Sequence, residues 1–284
     1  MKQETEARVA RYYTHGDLER TVLDALVASG KDVDRLLPED LSPVDEFHTG
    51  GREATIAFAK EAGFAAGQHL LDVGCGIGGP SRFFAVAYGC RVTGIDLTDD
   101  YVRTAEAFSR RVGLDGRVTY RQASAVDLPF ADATFDGAYM IHVGMNVEDK
   151  PALFTGVHRV LKQGGTFAVF DVMRTRAGEL SYPVPWAASS ETSFLASAAD
   201  YRRHLEAAGF EIVKERDRSD FARKFFAEVM ARAAQAGGPP PLGTHILMKT
   251  DAAGKLANVV GGLEKGLIAP VEIVCRGAIM KAKR

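Results

Sequence analysis

The sequence predicts an α/β protein: a mostly parallel sheet with helices on both faces, plus a helical cap. Three observations carry this. From residue 69 onward, short apolar runs alternate with stretches whose apolar residues recur every three or four positions. The first run, HLLDVG at 69–74, passes directly into glycines and then a helix. The second, RVTGID at 91–96, ends in a carboxylate. Strands linked through helices need crossover connections, and right-handed crossovers place helices over both faces of a parallel sheet.

The first fifty residues read as helical, with Val9, Tyr12 and Tyr13 on a first turn pattern and Leu18, Val22, Leu23 and Leu26 continuing it. Leu37-Pro38 and Ser42-Pro43 predict a loop. Gly50-Gly51 in FHTGGREAT predicts an unusual backbone path before a helix over 53–62. After the second strand, Asp99 is the expected cap of a helix carrying Val102, Ala105, Phe108 and Val112. Strands are expected at 117–122 and 135–142. A helix follows from Asp149-Lys150-Pro151, with Gly164-Gly165 as its stop and a fifth strand at 166–172. A helix from about 200, a strand at 210–215, a long helix with Phe221, Phe225, Phe226, Val229 and Met230 on an apolar face, and a last strand at 271–280 complete the pattern. This divides the chain into an N-terminal helical segment expected to serve as a cap (1–62) and a sheet domain (63–284). Insertions at about 172–199 and 218–268 are expected to form a lid.

At 284 residues the chain suits one core with insertions. A formal charge of −2 supplies no general attraction to nucleic acid or anionic membranes, so neither is an expected partner. The opening residues MKQETEARVARYY lack the apolar stretch of a secretory signal. Cys75, Cys90 and Cys275 are too few and too scattered for a disulfide framework or a zinc cluster, so no metal is expected and the setting is expected to be cytoplasmic.

The chemistry concentrates in LLDVGCGIGGPS. A strand running into glycines and a helix lets a ligand approach the backbone and aims helix-terminal amides at it. Gly74, Gly76 and Gly79 also satisfy the spacing of a dinucleotide fingerprint. Asp72 decides between ligands. Beside that turn its charge repels a pyrophosphate, by about 4 kcal/mol for unit charges 4 Å apart at an effective dielectric of 20. It suits a ligand carrying an ammonium group instead. Asp96 suits two ribose hydroxyls in either case.

These segments resemble the class I S-adenosylmethionine-dependent methyltransferase family. LLDVGCGIGG is similar to its first motif, VTGIDLT to its second-strand motif, ASAVDLPFADATFD to its link between third and fourth strands, and HRVLKQGGTFAVFD to its fifth-strand region. The resemblance covers about 69–172 and implies a Rossmann-like, seven-stranded sheet in the order 3-2-1-4-5-7-6 with the last strand antiparallel. It also implies S-adenosyl-L-methionine as methyl donor and S-adenosyl-L-homocysteine as product. By position, Asp72 and the turn of Gly74, Cys75, Gly76 and Gly78 would hold the methionine part, Asp96 the ribose, Leu97 the adenine flank, and Ser124 and Ala125 the adenine pocket. Many relatives have Asp at the position of Ser124. Within the family, VARYY, the 142–146 loop and the insertions resemble the sarcosine/dimethylglycine and phosphoethanolamine N-methyltransferases, with sterol and tocopherol enzymes as cousins. That implies a small acceptor, an amine among the candidates.

Around the expected site, His142 leaves the fourth strand where ligands bind open α/β sheets, which makes it a candidate base or substrate orienter; a polar loop residue is the alternative. His48 precedes two glycines, and a surface role competes with a catalytic one. Tyr13, as a catalytic candidate, or Tyr12, as a substrate contact, could close over a cation, since adjacent tyrosines cannot both serve one buried helix stripe. Met145 and Asn146 extend the 142–146 loop toward substrate, with packing the alternative for Met145. Trp186 is either a pocket wall or an anchor for its insertion. Cys75 is a small residue in a tight turn rather than a nucleophile. Methyl transfer leads; a nicotinamide-dependent oxidoreductase and a non-catalytic S-adenosylmethionine-binding protein stand as alternatives.

Overall fold

Strand β1 (His69–Val73) is buried from Leu70 to Val73, as a central strand covered on both faces must be. Around it the computed structural model, which describes residues 2–278, builds one seven-stranded sheet in the order β3-β2-β1-β4-β5-β7-β6. β2 (Arg91–Asp96), β3 (Val118–Gln122), β4 (Phe135–Ile141) and β5 (Leu161–Arg174) run parallel to β1. β7 (Ile268–Gly277) lies antiparallel between β5 and β6 (Phe210–Asp217). Positions 279–280 of the expected last strand lie outside the described residues.

Alternation along each strand sends neighbouring side chains to opposite faces. Leu71, Val73, Met140, Phe167 and Val169 face one side, with α7 (Lys150–Val160) and α8 (Ala198–Ala207) packed on them through Phe154, Val157 and Leu205. Leu70, Tyr139, Ala168 and Phe170 face the other. There α4 (Gly51–Ala62), α5 (Gly79–Ala87) and α6 (Asp99–Arg111) contribute Phe58, Phe84, Val102 and Ala105.

Several local expectations are corrected. The two prolines at 38 and 43 lie within a helix, α3 (Pro38–Asp45), not a loop. Pro38 takes the first turn, where a missing N–H costs no intrahelical bond, and Pro43 forfeits only one bond in a short helix held by buried Leu41 and Val44. Thr98, not Asp99, occupies the cap of α6. α7 ends at Val160 rather than at Gly164-Gly165. Leu161 is buried and already pairs with Phe135, and pairing then jumps to Gly137–Thr166, so the glycines sit in an irregularity of β5. On α9 (Ser219–Ala236) only Ala222 and Phe226 are buried; Met230 is exposed because only the first half of the helix is covered.

The two insertions pack on each other. Leu180, Val184, Trp186 and Ala187 from one meet Phe226, Val259 and Leu263 from α9 and α10 (Ala252–Glu264). The N-terminal helices α1 (Lys2–Tyr13) and α2 (Leu18–Ala28) sit across this region and α6: Leu18, Val22 and Leu26 pack with Tyr101, Phe108, Leu242 and Leu247. Between α1 and the insertions, Arg8 pairs with Glu191, the Tyr12 hydroxyl donates to Val184 O at 2.8 Å, and Lys249 Nζ donates to Tyr12 O and Thr14 O at 2.5 and 2.6 Å. Among the described residues, no helix is long and apolar enough to cross a membrane, and no group of three or more His, Cys, Asp or Glu is arranged to hold a metal.

Candidate active site

The glycines after β1 adopt backbone angles that other residues rarely tolerate, with φ +76° at Gly74, +54° at Gly76 and +86° at Gly78. A Cβ on Gly74 would sit 2.8 Å from Val143 Cγ1 and nearer still to Cγ2, so the turn passes directly under the exit of β4. Backbone bonds tie it to β2: Gly74 N and Cys75 N both donate to Ile95 O at 2.8 Å, and Gly76 N donates to Asp96 Oδ2 at 2.9 Å. Over this turn lies a cavity of about 590 Å³, within the ~300–1,000 Å³ range of small-molecule sites. Its walls are the turn, the ends of β2 and β3, the exit of β4, the α3–α4 loop, and α1 as cover.

Asp72 lines this cavity from the end of β1 at 2% exposure. Ser81 Oγ (2.6 Å) and the Tyr139 hydroxyl (3.0 Å) both donate to its Oδ2, leaving Oδ1 for the cavity. Burial pushes its carboxyl up to about 7 despite those two bonds. Asp96 also lines the cavity, 20 positions further along the chain from Gly76. Its Oδ1 accepts from Thr98 N at 2.9 Å, and burial raises its carboxyl against its backbone donors. Leu97, Ser124 and Ala125 close that end, with Gly74, Cys75 and Gly76 on the floor. Cys75 is buried, and burial holds its thiol well above the usual range, so it is no nucleophile.

His142 leaves β4 with φ +54°, a left-handed conformation uncommon for a non-glycine residue and kept only where the surrounding structure holds it. Its N–H donates to Phe170 O at 2.7 Å, and its ring stands 4.9 Å from Phe170 and 5.9 Å from His48. Its Nε2 is buried with no hydrogen-bond partner among the described residues. His48 holds Nε2 at 3.2 Å from Gly51 O and 3.0 Å from Thr55 Oγ1. A carbonyl only accepts, so Nε2 carries the proton and the lone pair lies on Nδ1. Burial lowers His48 to about 4 and, with His48 nearby, His142 well below the usual histidine range. Both imidazoles are neutral at pH 7.

Tyr13 donates to Asn146 Oδ1 at 2.8 Å, and Asn146 Nδ2 donates to Trp186 O and Thr192 O at 2.8 and 3.0 Å. The insertion after β5 thereby fixes the amide, and the amide fixes the phenol. Burial, with smaller contributions from Tyr12, Asp96 and Asp171, keeps the Tyr13 proton well above its usual range. The 142–146 loop is braced from below: Tyr201 donates to Asp171 Oδ2 at 2.7 Å, and Lys150 Nζ holds Val147 O and Phe194 O at 2.9 and 2.6 Å.

Of the residues singled out from the sequence, Gly78, Tyr12, Met145 and Trp186 do not line the cavity. Gly78 occupies the cap of α5, where its backbone angle shapes the turn from behind. Tyr12 points its hydroxyl at Val184 O, on the flank of α1 away from Tyr13. Met145 and Trp186 belong to the insertion core, where Trp186 Nε1 donates to Ser193 Oγ at 2.9 Å and anchors the segment. The cavity is also lined by the inward face of α1, with Thr5, Glu6 and Val9, and by Asp45, Phe47 and Tyr101, none of them marked as site residues by the sequence. Thr5, Val9 and Tyr13 recur at four-residue spacing, which was the available signal. No comparable signal marks Asp45, Phe47 or Tyr101, which tertiary packing brings in.

A parallel sheet in this order with an antiparallel seventh strand, and a glycine turn after the first strand, defines the class I S-adenosylmethionine-dependent methyltransferase fold. Within it, residues 71–169 match a methyltransferase domain family. A sterol 24-C-methyltransferase of Eremothecium gossypii is 33% identical over 170 residues, covering 57% of this chain and 45% of that protein. The chain spans about half the length of the curated relatives it matches. Among solved structures, the (4+2)-cyclase SpnF is 27% identical over 80% of each chain, with a TM-score of 0.63. Phosphoethanolamine N-methyltransferase 2 of Haemonchus contortus, in complex with S-adenosyl-L-methionine, has a TM-score of 0.68 at 21% identity, over 81% of this chain and 54% of that one.

Proposed function

We propose that the protein transfers a methyl group from S-adenosyl-L-methionine to a small-molecule acceptor and releases S-adenosyl-L-homocysteine. One observation carries this reading: two carboxyl groups, the buried Asp72 and the half-buried Asp96, face a single cavity from either side of the glycine turn. The first suits the ammonium of the methionine part, the second the ribose hydroxyls, and the glycines admit the chain between them. A pyrophosphate at the same turn would meet Asp72, which disfavours a nicotinamide dinucleotide.

When bound, S-adenosylmethionine supplies an already activated sulfonium methyl group, so the protein's own part is orientation, exclusion of water and proton management. The α1 helix covers the cavity, and the insertions serve as its support: their contacts hold α1 and Asn146 rather than forming the wall themselves. Tyr13, His48 and His142 stand at the acceptor end, and their rings and neutral polar atoms suit a small amine or hydroxyl compound. His142, which lines the cavity, is assigned as the proton acceptor, taking the acceptor's proton on its neutral imidazole once the new bond to carbon forms. Phe170 and the backbone bond to its carbonyl hold the ring in place. No nucleic acid or membrane partner enters this proposal, and three free, buried cysteines suit a cytoplasmic setting.

A second reading follows from the likeness to a structure described as a cyclase: the same cavity binds the cofactor yet catalyses a reaction without transfer. The test is calorimetric binding of S-adenosylmethionine and S-adenosylhomocysteine, followed by single-turnover transfer to small amines and hydroxyl compounds read by mass. A methylated product supports transfer, and full single-turnover rate in His142→Ala would remove His142 from the mechanism. Tight cofactor binding with no methylated product from any acceptor favours the second reading. Failure to bind either nucleoside overturns both.

A further inference from the structure

We infer that Glu6, on the covering helix α1, reads the amino edge of the nucleoside's purine and so selects adenine over a 6-oxo base. This rests on the cofactor assignment above and adds a residue to it.

One end of the cavity is lined by Asp96 and Leu97, at the tip of β2, and by Ser124 to Val126, just after β3. With the ribose held by Asp96, the base must extend away from the glycine turn into that end. The side chains there offer an incomplete set of hydrogen-bonding groups. Ser124 Oγ receives Val126 N–H at 3.2 Å and donates its only proton to Glu6 Oε1 at 2.5 Å. The Ser124 hydroxyl therefore has no donor left for a ligand. What faces the base is the carboxylate that Ser124 holds, and a carboxylate offers acceptors alone. An acceptor pairs with an exocyclic amino group such as the one adenine carries at position 6. It repels the carbonyl oxygen that hypoxanthine carries there.

Glu6 differs from an ordinary surface glutamate in three respects. It is half-buried and lines the cavity. Its partner lies 118 positions away in sequence, across the cavity mouth. Its helix is fixed to the insertion after β5 by the Arg8–Glu191 pair and by Tyr12 on Val184 O. Thr5, Val9 and Tyr13 turn the same face of α1 inward, so the carboxylate is presented by a helix that is already docked. Base recognition and the docked position of α1 are then one event, because the acceptor leaves the cavity if α1 does.

The experiment is calorimetric binding of S-adenosylhomocysteine and S-inosylhomocysteine to the wild-type chain, Glu6→Gln and Ser124→Ala, with circular dichroism to verify that each variant is folded. Wild type should prefer the adenosyl ligand by about 10- to 100-fold, the usual consequence of leaving one buried polar group opposed or unpaired. Glu6→Gln, whose amide can offer a donor, should bring that ratio close to one. Ser124→Ala should lower it partially, because Glu6 remains but loses its tether. An undiminished ratio in both variants would mean that the base is read elsewhere and would overturn the proposal. If wild type binds neither ligand, the cofactor assignment itself fails. If it binds both equally, the cofactor assignment stands and the role of Glu6 falls alone.

Discussion

Gly74→Ala should cost stability for two separable reasons. The first is backbone: at φ +76° an alanine pays the left-handed penalty of about 1–2 kcal/mol. The second is packing: the added Cβ lands 2.8 Å from Val143 Cγ1 and closer to Cγ2, an overpacked contact worth about 1–3 kcal/mol. Together they predict a loss of roughly 2–5 kcal/mol in urea unfolding, at an unchanged dependence on denaturant. Val143 adjoins His142, so its displacement should also weaken S-adenosylhomocysteine binding. Adding Val143→Ala removes the clashing methyls and should recover the packing part while leaving the backbone part in place. A full double-mutant cycle measures that coupling. If the double variant were no more stable than Gly74→Ala corrected for Val143→Ala alone, the proximity of turn and β4 exit would not govern the site.

Two other perturbations test the buried charges. The fold lifts the Asp72 carboxyl from an ordinary value of 3.8 to about 7 through burial. The folded chain therefore keeps a proton that the unfolded chain has lost, and stability falls as pH rises from about 4 to 7. Asp72→Asn removes this penalty, so its melting temperature should exceed that of wild type at pH 8 and converge with it near pH 4. Asp45 and Asp171, each raised to about 6 by burial, leave part of the slope in both proteins. Thermal melts of the ligand-free chains check this, and a gap that fails to widen with pH would refute it. Arg82 and Asp45 form a fully buried pair at 2.6 Å that joins α3 to α5. Arg82→Met should cost about 3–5 kcal/mol by stranding the carboxylate, and the double variant with Asp45→Asn should regain much of it; denaturant unfolding within about 1 kcal/mol of wild type for the single variant would contradict that account.

The strands and the glycine turn were legible because their signals are local. β1 is a short apolar run, the turn needs glycine wherever φ is positive, and a carboxylate two residues before the first glycine speaks to ligand charge directly. Errors arose where a local rule met a tertiary override. Pro38 and Pro43 argued for a loop, yet Leu41 and Val44 had a core to enter and the helix formed around the prolines. Gly164-Gly165 argued for a helix stop, yet Leu161 had a strand partner in Phe135 and left the helix earlier. Adjacent tyrosines at 12 and 13 were known to face different ways, but only packing against Val184 and Asn146 separates the structural one from the one at the cavity.

By itself, then, the chain's sequence determined the sheet, the turn after its first strand and the two carboxylates that flank that turn, because period, backbone permissiveness and charge are properties of neighbouring residues. Tertiary structure alone decided how the cavity is covered. The sequence assigned that task jointly to the N-terminal helices and the two insertions; α1 turns Thr5, Glu6, Val9 and Tyr13 inward, while the insertions pack on each other and brace it. Contacts such as Ser124 to Glu6 and Asn146 to Trp186 join residues 118 and 40 positions apart. No local pattern encodes such pairs, since they follow from which buried faces find each other once the sheet has formed.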